Sequence, residues 1–479
     1  MGTRYRLPLA SPEVFAQGLA QIRAENEVPQ TFPLAVLGAA AQAAQRSFGS
    51  EHVDRTDLPF VTLDPAASTD LDQAFTIEPA SGDDLLLRYA IADVAWFVRS
   101  TDALDTEAWA RGVTTYMPDS RAGLYPPALS EAAVSLLPDG PRAAVVFIVR
   151  VGSDGSVALD GVERAVIRSR AKLAYETAVS SELPAALAEF AARIHAAEDA
   201  RGASRVETPE QEVVADSEQG YRLVFRPRAA NEENNAAMSL AANMAVADAL
   251  FAAGTGLFRV MAEPDARRVG SLRYSAKALG LHWPADVDLH TFQRQLQRAW
   301  IADAANVESA SYATNAAFLV AVRRATGGAK YAPFEQGVTP WHSAMASTYC
   351  HSTAPLRRLG DRFNVAAALA IANAKPVPDD VQEAFSRLPA VMDRADTRAA
   401  RVERSVIDMV EAVLLSGHEG QSFDAVVTDD DERGARIHLC EQAILSRVSA
   451  HGVNPGDRIR VRLIASDPVK REVKFERVT

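Results

Sequence analysis

Cysteine is nearly absent from this 479-residue chain, and the two that occur, Cys350 and Cys440, stand far apart in the sequence. Their separation matches neither a disulfide framework nor a zinc-ligand spacing and fits a reducing compartment, so no disulfide partner is expected. Long apolar runs are missing too. No stretch approaches the ~18 uncharged apolar residues that span a bilayer, and the opening "MGTRYRLPLASPEVF" lacks the apolar core of a secretory leader. The chain therefore reads as cytoplasmic, with no membrane partner. Excess positive charge is also lacking. The formal net charge of −12 argues against bulk attraction to nucleic acid, although local basic surfaces bind phosphate on an acidic molecule. No internal repeat or low-complexity tract is visible. What is present is a hydrophobic content of 48%, enough to fill the cores of about two to four domains.

Three regions follow from the patterning. Residues 1–49 read as a small helical domain: "SPEVFAQGLAQIRAENEV" offers Ser11 as N-cap with Pro12 at the first helical position, and "PLAVLGAAAQAAQRSF" begins at Pro33. Residues 50–415 are mixed α/β. They open with strand patterns in "LPFVTLD", "LLLRYAIADVAWFV" and "RAAVVFIVRV", with the turn "SDGS" after the last. From about Val162 helices dominate, among them "AALAEFAARIHAAEDA", "AAMSLAANMAVADALFAA", "RFNVAAALAIANA" and a long segment from Val391 to Leu415. Residues 416–479 return to strands: "FDAVVTD", "ARIHLC", "DRIRVRLIASD" and "REVKFERV". Four or five strands in ~60 residues favour a closed barrel of the OB type, a common platform for single-stranded nucleic acid. The fold class is α+β.

Chemistry concentrates in "FVTLDPAASTDLDQAF". "FVTLD" reads as a strand that delivers Asp64, "PAAST" as a turn, and "DLD" as an extended piece whose period of two sets Asp70 and Asp72 on one face. Three converging carboxylates repel one another unless a cation neutralises them, and hard oxygen donors at this density suit Mg²⁺ or Mn²⁺. A solvated acidic loop is the structural alternative. An EF-hand is excluded, since the sixth position from Asp64 is not Gly and the twelfth is Phe75. A zinc site is excluded by the lack of His or Cys in the segment.

A second constellation lies in "YCHSTAPLRRLGDRF", where Pro355 precedes Leu356, Arg357 and Arg358 at the start of a predicted helix. Guanidinium groups near a helix N-terminus form an anion site, whereas an isolated Arg pair serves as well in surface ion pairs. Metal together with arginine is the equipment of phosphoryl transfer. Arg394, Arg398 and Arg401 form a further stripe at i, i+4 and i+7, readable as a solvated ion-pair face or as a channel lining.

With "YAIADVAWFV", "RGVTTYMPD", "LYPPALSEAAVSLLPDGPRAAVVF", "VIRSRAKLAYE" and "HSTAPLRRLGD", the acidic segment resembles, in order and spacing, the catalytic domain of the ribonuclease II (RNB) family of 3′-to-5′ exoribonucleases. The resemblance covers about three hundred residues and extends to the last region, which is similar to the S1-type barrel of that family. It does not reach the first ~50 residues, which read as a helical, helix-turn-helix-like module where family members usually carry two cold-shock barrels.

That resemblance implies hydrolysis of single-stranded RNA from its 3′ end to nucleoside 5′-monophosphates with Mg²⁺, Mn²⁺ being the substitute, by a chain expected to act as a monomer. Asp64, Asp70 and Asp72 match metal-site acids of the family pattern, with Asp72 also catalytic. Tyr116 matches an aromatic that stacks on the terminal base, and stacking contributes ~1–3 kcal/mol per base regardless of sequence. Tyr175 matches a tyrosine of the terminal-nucleotide pocket, Arg357 the arginine that stabilises the transition state, and Arg358 its substrate-binding neighbour. Both tyrosines also read as half-buried core residues, and His342 and His351 are expected to be structural.

Three departures from the family pattern stand out. Gln73 replaces a fourth aspartate; its carbonyl oxygen still offers a ligand, directly or through water, but one negative charge is lost and a weaker metal site is expected. Ala236 and Ala237 stand where a Glu-Glu pair holds the terminal ribose, which bears on the choice between RNA and DNA. Val365 and Ala366 replace a His-Arg pair. Two functions stay open at this point: an active exoribonuclease, or a catalytically weakened RNA-binding or regulatory protein that keeps the fold.

Overall fold

The structure, a computed structural model, describes residues 12–204, 211–216, 220–225, 229–302, 314–315, 318–319, 321–323, 325, 327–431, 434–440, 444–450, 452–454 and 457–478. The expected N-cap Ser11 lies outside the described residues. The architecture is mixed α/β with a closed β-barrel at the C-terminal end.

At the centre is a five-stranded sheet in the order Val53–Arg55, Val157–Ile167, Arg142–Val151, Leu85–Ala92, Gln73–Pro79. All pairings are antiparallel except that of Val53–Arg55 with Val157–Ile167. The helix Ala230–Ala252 packs on this sheet. Its buried Ala237, Ala241, Ala242 and Ala245 let the backbone approach closely, while Met238, Leu240 and Val246 fill the space between. Gln73–Pro79 is the edge strand, so the acidic segment that leads into it runs along the rim of the sheet.

Several elements differ from the sequence reading. "DVAWFV" does not extend its strand: Asp93 accepts the backbone N–H of Trp96 at 3.2 Å and caps a one-turn helix, Val94–Phe97. Strand structure continues past Val162 to Ile167, because "SDGS" closes a hairpin that carries Val157–Ile167 back along Arg142–Val151. Short pairs also form at Gln211–Asp216 with Gly220–Phe225 and at Leu257–Val260 with Lys330–Pro333. The last long helix begins earlier than the apolar pattern suggests, spanning Asp379–Leu415 and continuing through Pro389. Of the arginine stripe, Arg394 and Arg401 are exposed, whereas Arg398 is half-buried and donates to the Arg111 carbonyl at 2.5 Å.

The long helix ties the ends of the molecule together. Its Val402, Val406, Met409 and Val413 pack against Phe15, Leu19 and Ile22 of the helix Pro12–Glu25. The barrel Ser422–Asp431, Gly434–Leu439, Leu445–Ser449, Glu472–Val478, Arg458–Asp467 follows it and encloses its own core of Val427, Ile437, Val461 and Leu463. Glu411, 4% exposed, joins helix to barrel by accepting the Leu445 N–H at 2.9 Å and the Gln211 amide at 2.6 Å.

Burial pushes the Glu411 carboxyl up to about 8, against the opposing hydrogen bonds from Leu445 and Gln211. The folded chain therefore holds this proton more tightly than the unfolded one. The stability it contributes is fully present below the ordinary Glu range and is lost as pH rises toward 8. Glu411→Gln is expected to raise the melting temperature at pH 8 more than at pH 5, and thermal melts at the two pH values check this.

Candidate active site

The acidic segment is fixed from both ends. Asp64 closes the strand Thr62–Asp64, which pairs in parallel with Lys172–Ala174, and its carbonyl accepts the Tyr175 N–H at 3.2 Å. This pairing is what sets Tyr175 beside Asp64. Further on, Ser135 accepts the Leu71 N–H at 2.9 Å and donates to the Thr69 carbonyl at 2.7 Å, and the Ala92 N–H reaches the Asp72 carbonyl at 2.9 Å. The segment is thus pinned to the sheet on one side and to "VSLLPDG" on the other.

The arginine motif is pinned as firmly. Asn243, on the helix that covers the sheet, accepts both the N–H and the hydroxyl of Ser352 at 2.9 Å and donates to Tyr349 at 3.2 Å. Buried Asp361 accepts the Ala354 N–H at 2.8 Å. Gly112 completes the support: its carbonyl accepts the Leu359 N–H at 2.9 Å, and the Thr114 N–H reaches the Arg357 carbonyl at 3.0 Å. Its φ of 74° and the Ala395 Cβ, 2.6 Å from where a Gly112 Cβ would stand, leave room for glycine alone.

These supports bring the acids and the arginine motif together. Asp72, 5% exposed, accepts the Leu356 N–H at 2.7 Å through Oδ1, and its Oδ2 lies 3.5 Å from Arg357 Nε. Burial pushes the Asp72 carboxyl up to about 8, opposed by the Arg357 charge and the Leu356 hydrogen bond. Burial likewise pushes Asp64 up to about 7, opposed by Arg357 and Lys172 and reinforced by Asp70. No donor among the described residues reaches the Asp64 carboxylate by a hydrogen bond.

The remaining predicted residues are placed as follows. Asp70 is paired with Arg121, whose Nη1 lies 2.5 Å from Oδ1, and accepts the Tyr116 hydroxyl at 3.3 Å. Tyr116 is otherwise exposed. Tyr175 is half-buried and its hydroxyl accepts from Asn235 at 2.8 Å. Gln73 is fully engaged, donating to the Thr353 carbonyl at 2.7 Å and accepting the Tyr89 hydroxyl. The two arginines separate: Arg357 has a side chain 45% exposed, whereas Arg358 is turned into an ion pair with Asp361 at 2.7 Å. His342 and His351 are desolvated, and burial holds His342 down to about 4 and His351 well below its ordinary range.

The expected convergence of three acids on one cation is therefore incomplete. Among the described residues no group of three or more His, Cys, Asp or Glu side chains stands close enough to hold a metal ion. The period of two places Asp70 and Asp72 near each other, but the first turns to Arg121 and the second to Leu356 and Arg357. Asp64 and Asp72 nonetheless fit a hard cation, being desolvated oxygen donors that share a single partly exposed guanidinium, Arg357. Asp70 is a donor of the same kind but is held by Arg121.

Sequence reasoning missed Arg121, Tyr89 and Asn235. For Arg121 a signal exists: "TYMPDSRA" is two short β runs about a turn, and the strands Thr115–Met117 and Ser120–Ala122 set Tyr116 directly across from Arg121.

Residues 52–370 match the RNB domain. The chain belongs to the RNB family. Its residues 421–478 match the C-terminal S1 domain of RNase II-type exonucleases, on the segment that forms the closed barrel. Among curated RNB relatives, ribonuclease R of Thermotoga maritima is 24% identical over 93% of this chain and 68% of its own length. Ribonuclease R of Aquifex aeolicus is 26% identical over 87% of this chain and 63% of its own. The chain thus spans about two thirds of the length of these relatives. In three dimensions it is similar to Mycoplasma genitalium RNase R in complex with ribose-methylated single-stranded RNA, with a TM-score of 0.83 at 20% identity, over 98% of this chain and 79% of that one. No helix among the described residues is long and apolar enough to cross a membrane.

Proposed function

We propose that the chain is a metal-dependent 3′-to-5′ exoribonuclease that hydrolyses single-stranded RNA to nucleoside 5′-monophosphates. The observation that carries this reading is the juxtaposition of two desolvated carboxylates, Asp64 and Asp72, with the exposed guanidinium of Arg357. Two buried acids that share one partly exposed guanidinium suit a phosphodiester, whose charge must be met from both sides. The ribonuclease R structure that this fold resembles holds single-stranded RNA, and the S1-type barrel supplies a second platform for the strand.

Asp64 and Asp72, joined by Asp70, are the residues to hold Mg²⁺ or Mn²⁺, which when bound activates water and neutralises phosphate oxygens. Around them the chain's own residues position the RNA. Exposed Tyr116 offers its ring to the terminal base, and the Asn235–Tyr175 pair borders the terminal nucleotide. Water adds to the last phosphorus, the bond to the 3′ oxygen of the preceding nucleotide breaks, and that oxygen takes a proton to become the new 3′ end. Arg357 stabilises the charge that builds on the phosphate oxygens. Ala236 and Ala237 offer no hydrogen-bonding group, and Ala237 is buried in the core, so discrimination between ribose and deoxyribose is expected to be shallow.

Incubating the protein with a 3′-labelled oligoribonucleotide and Mg²⁺ tests the reading. Release of the label as mononucleotide is the expected result. A protein that binds the oligonucleotide but leaves the label in place would instead be an RNA-binding member that keeps the fold without turnover.

A further inference from the structure

Asp70 is not free to serve as a ligand. Arg121 places Nη1 2.5 Å from Asp70 Oδ1 and Nη2 2.7 Å from Glu131 Oε1, and donates to the Thr69 hydroxyl at 2.6 Å. Thr69 in turn donates to Glu131 Oε2 at 3.2 Å, closing a ring of three side chains, Arg121, Thr69 and Glu131, to which Asp70 is attached through Arg121. One guanidinium thus bridges two carboxylates, only one of which belongs to the acidic segment. The geometry points to Arg121 as an internal cation that competes with the divalent metal for Asp70.

The exchange is local. The side chains of Arg121 and Glu131 are 26% and 31% exposed, against 11% for Asp70. Arg121 already touches Glu131, so it releases Asp70 by rotating onto a carboxylate it holds, without becoming an unpaired cation. A divalent ion carries twice the charge of the guanidinium and meets Asp64 and Asp72 close by, which favours it at Asp70 once its concentration suffices. Gln73 shifts the balance the other way, since it brings no charge and is bonded to Tyr89 and Thr353. Metal loading is therefore graded by the Arg121–Glu131 pair.

This inference rests on the metal-dependent reading above, so its test reads metal binding without RNA. Calorimetric titration of the full chain with Mn²⁺ should give a dissociation constant about tenfold lower for Arg121→Gln than for the unmodified chain. The gain should vanish in the Arg121→Gln, Asp70→Asn double variant, because the released ligand is then gone. Glu131→Gln should act in the opposite direction and weaken Mn²⁺ binding several-fold, since Arg121 then has only Asp70 as a charged partner. A merely structural network would lose affinity in both single variants. Unchanged or weaker binding in Arg121→Gln, or a gain that survives Asp70→Asn, overturns the proposal. If Arg121→Gln does not fold, as judged by circular dichroism, Arg121→Lys takes its place, since a lysine cannot bridge Asp70 and Glu131 with two nitrogens; Mn²⁺ binding no tighter than in the unmodified chain then overturns the proposal. A chain that gains Mn²⁺ affinity on Arg121→Gln yet never releases mononucleotides loses the exoribonuclease reading and keeps this one.

Discussion

Asp72→Asn is expected to lower kcat for RNA hydrolysis by about a thousandfold while leaving RNA affinity unchanged or slightly tighter. The two carboxylate oxygens of Asp72 have different partners. Oδ1 accepts the Leu356 N–H at 2.7 Å, and an asparagine oxygen makes the same bond, so the turn before Arg357 keeps its anchor. Oδ2, 3.5 Å from Arg357 Nε, is the atom whose charge is removed, and with it the ligand that no neighbour replaces. Burial pushes the wild-type carboxyl up to about 8, so the folded state bears the strain of a desolvated acid. The variant removes that strain and should melt at the same temperature as the wild type or higher. Loss of turnover with retained or increased stability separates a catalytic role from a structural one. Turnover within tenfold of the wild type would sink the assignment.

The acidic segment was legible because its chemistry is local. In "FVTLDPAASTDLDQAF" the strand, the turn and the charges follow from neighbours a few residues apart, and Thr62–Asp64 forms as the pattern predicts. The barrel was legible for the same reason: each strand alternates, as in Arg458–Asp467, where Ile459, Val461 and Leu463 are buried. What stayed hidden depends on contacts across the chain. Gln73 reads as a lost aspartate, yet it is held by Tyr89 and by Thr353, a residue 280 positions away. The Arg121–Asp70 pair spans 51 positions and sits in a hairpin whose sequence signals a turn but not what that turn faces. The adjacent arginines are the sharpest case, because identical neighbours in the sequence have opposite surroundings in the fold.

That difference predicts opposite consequences for Arg357→Ala and Arg358→Ala. Arg357 has an exposed side chain, and its positive charge opposes the upward shift of the Asp64 and Asp72 carboxyls alike, so it is the cation common to both. Removing it should leave the fold intact and lower kcat by about a hundredfold or more, the usual loss when a donor aimed at developing charge is deleted. Arg357→Lys keeps the charge but not the fork of donors, and should recover part of the loss. Arg358 instead donates to Asp361 through Nε at 3.0 Å and Nη2 at 2.7 Å. Asp361 is fully buried and also holds the Ala354 N–H at 2.8 Å. Truncating Arg358 strands that carboxylate and should destabilise the chain by roughly 3 kcal/mol. Urea unfolding read beside single-turnover hydrolysis distinguishes the two: Arg357→Ala should shift the rate and spare the midpoint, and Arg358→Ala should shift the midpoint first. A stability loss confined to Arg357→Ala, or an unaltered rate in that variant, would mean that the exposed guanidinium serves the turn and not the phosphate.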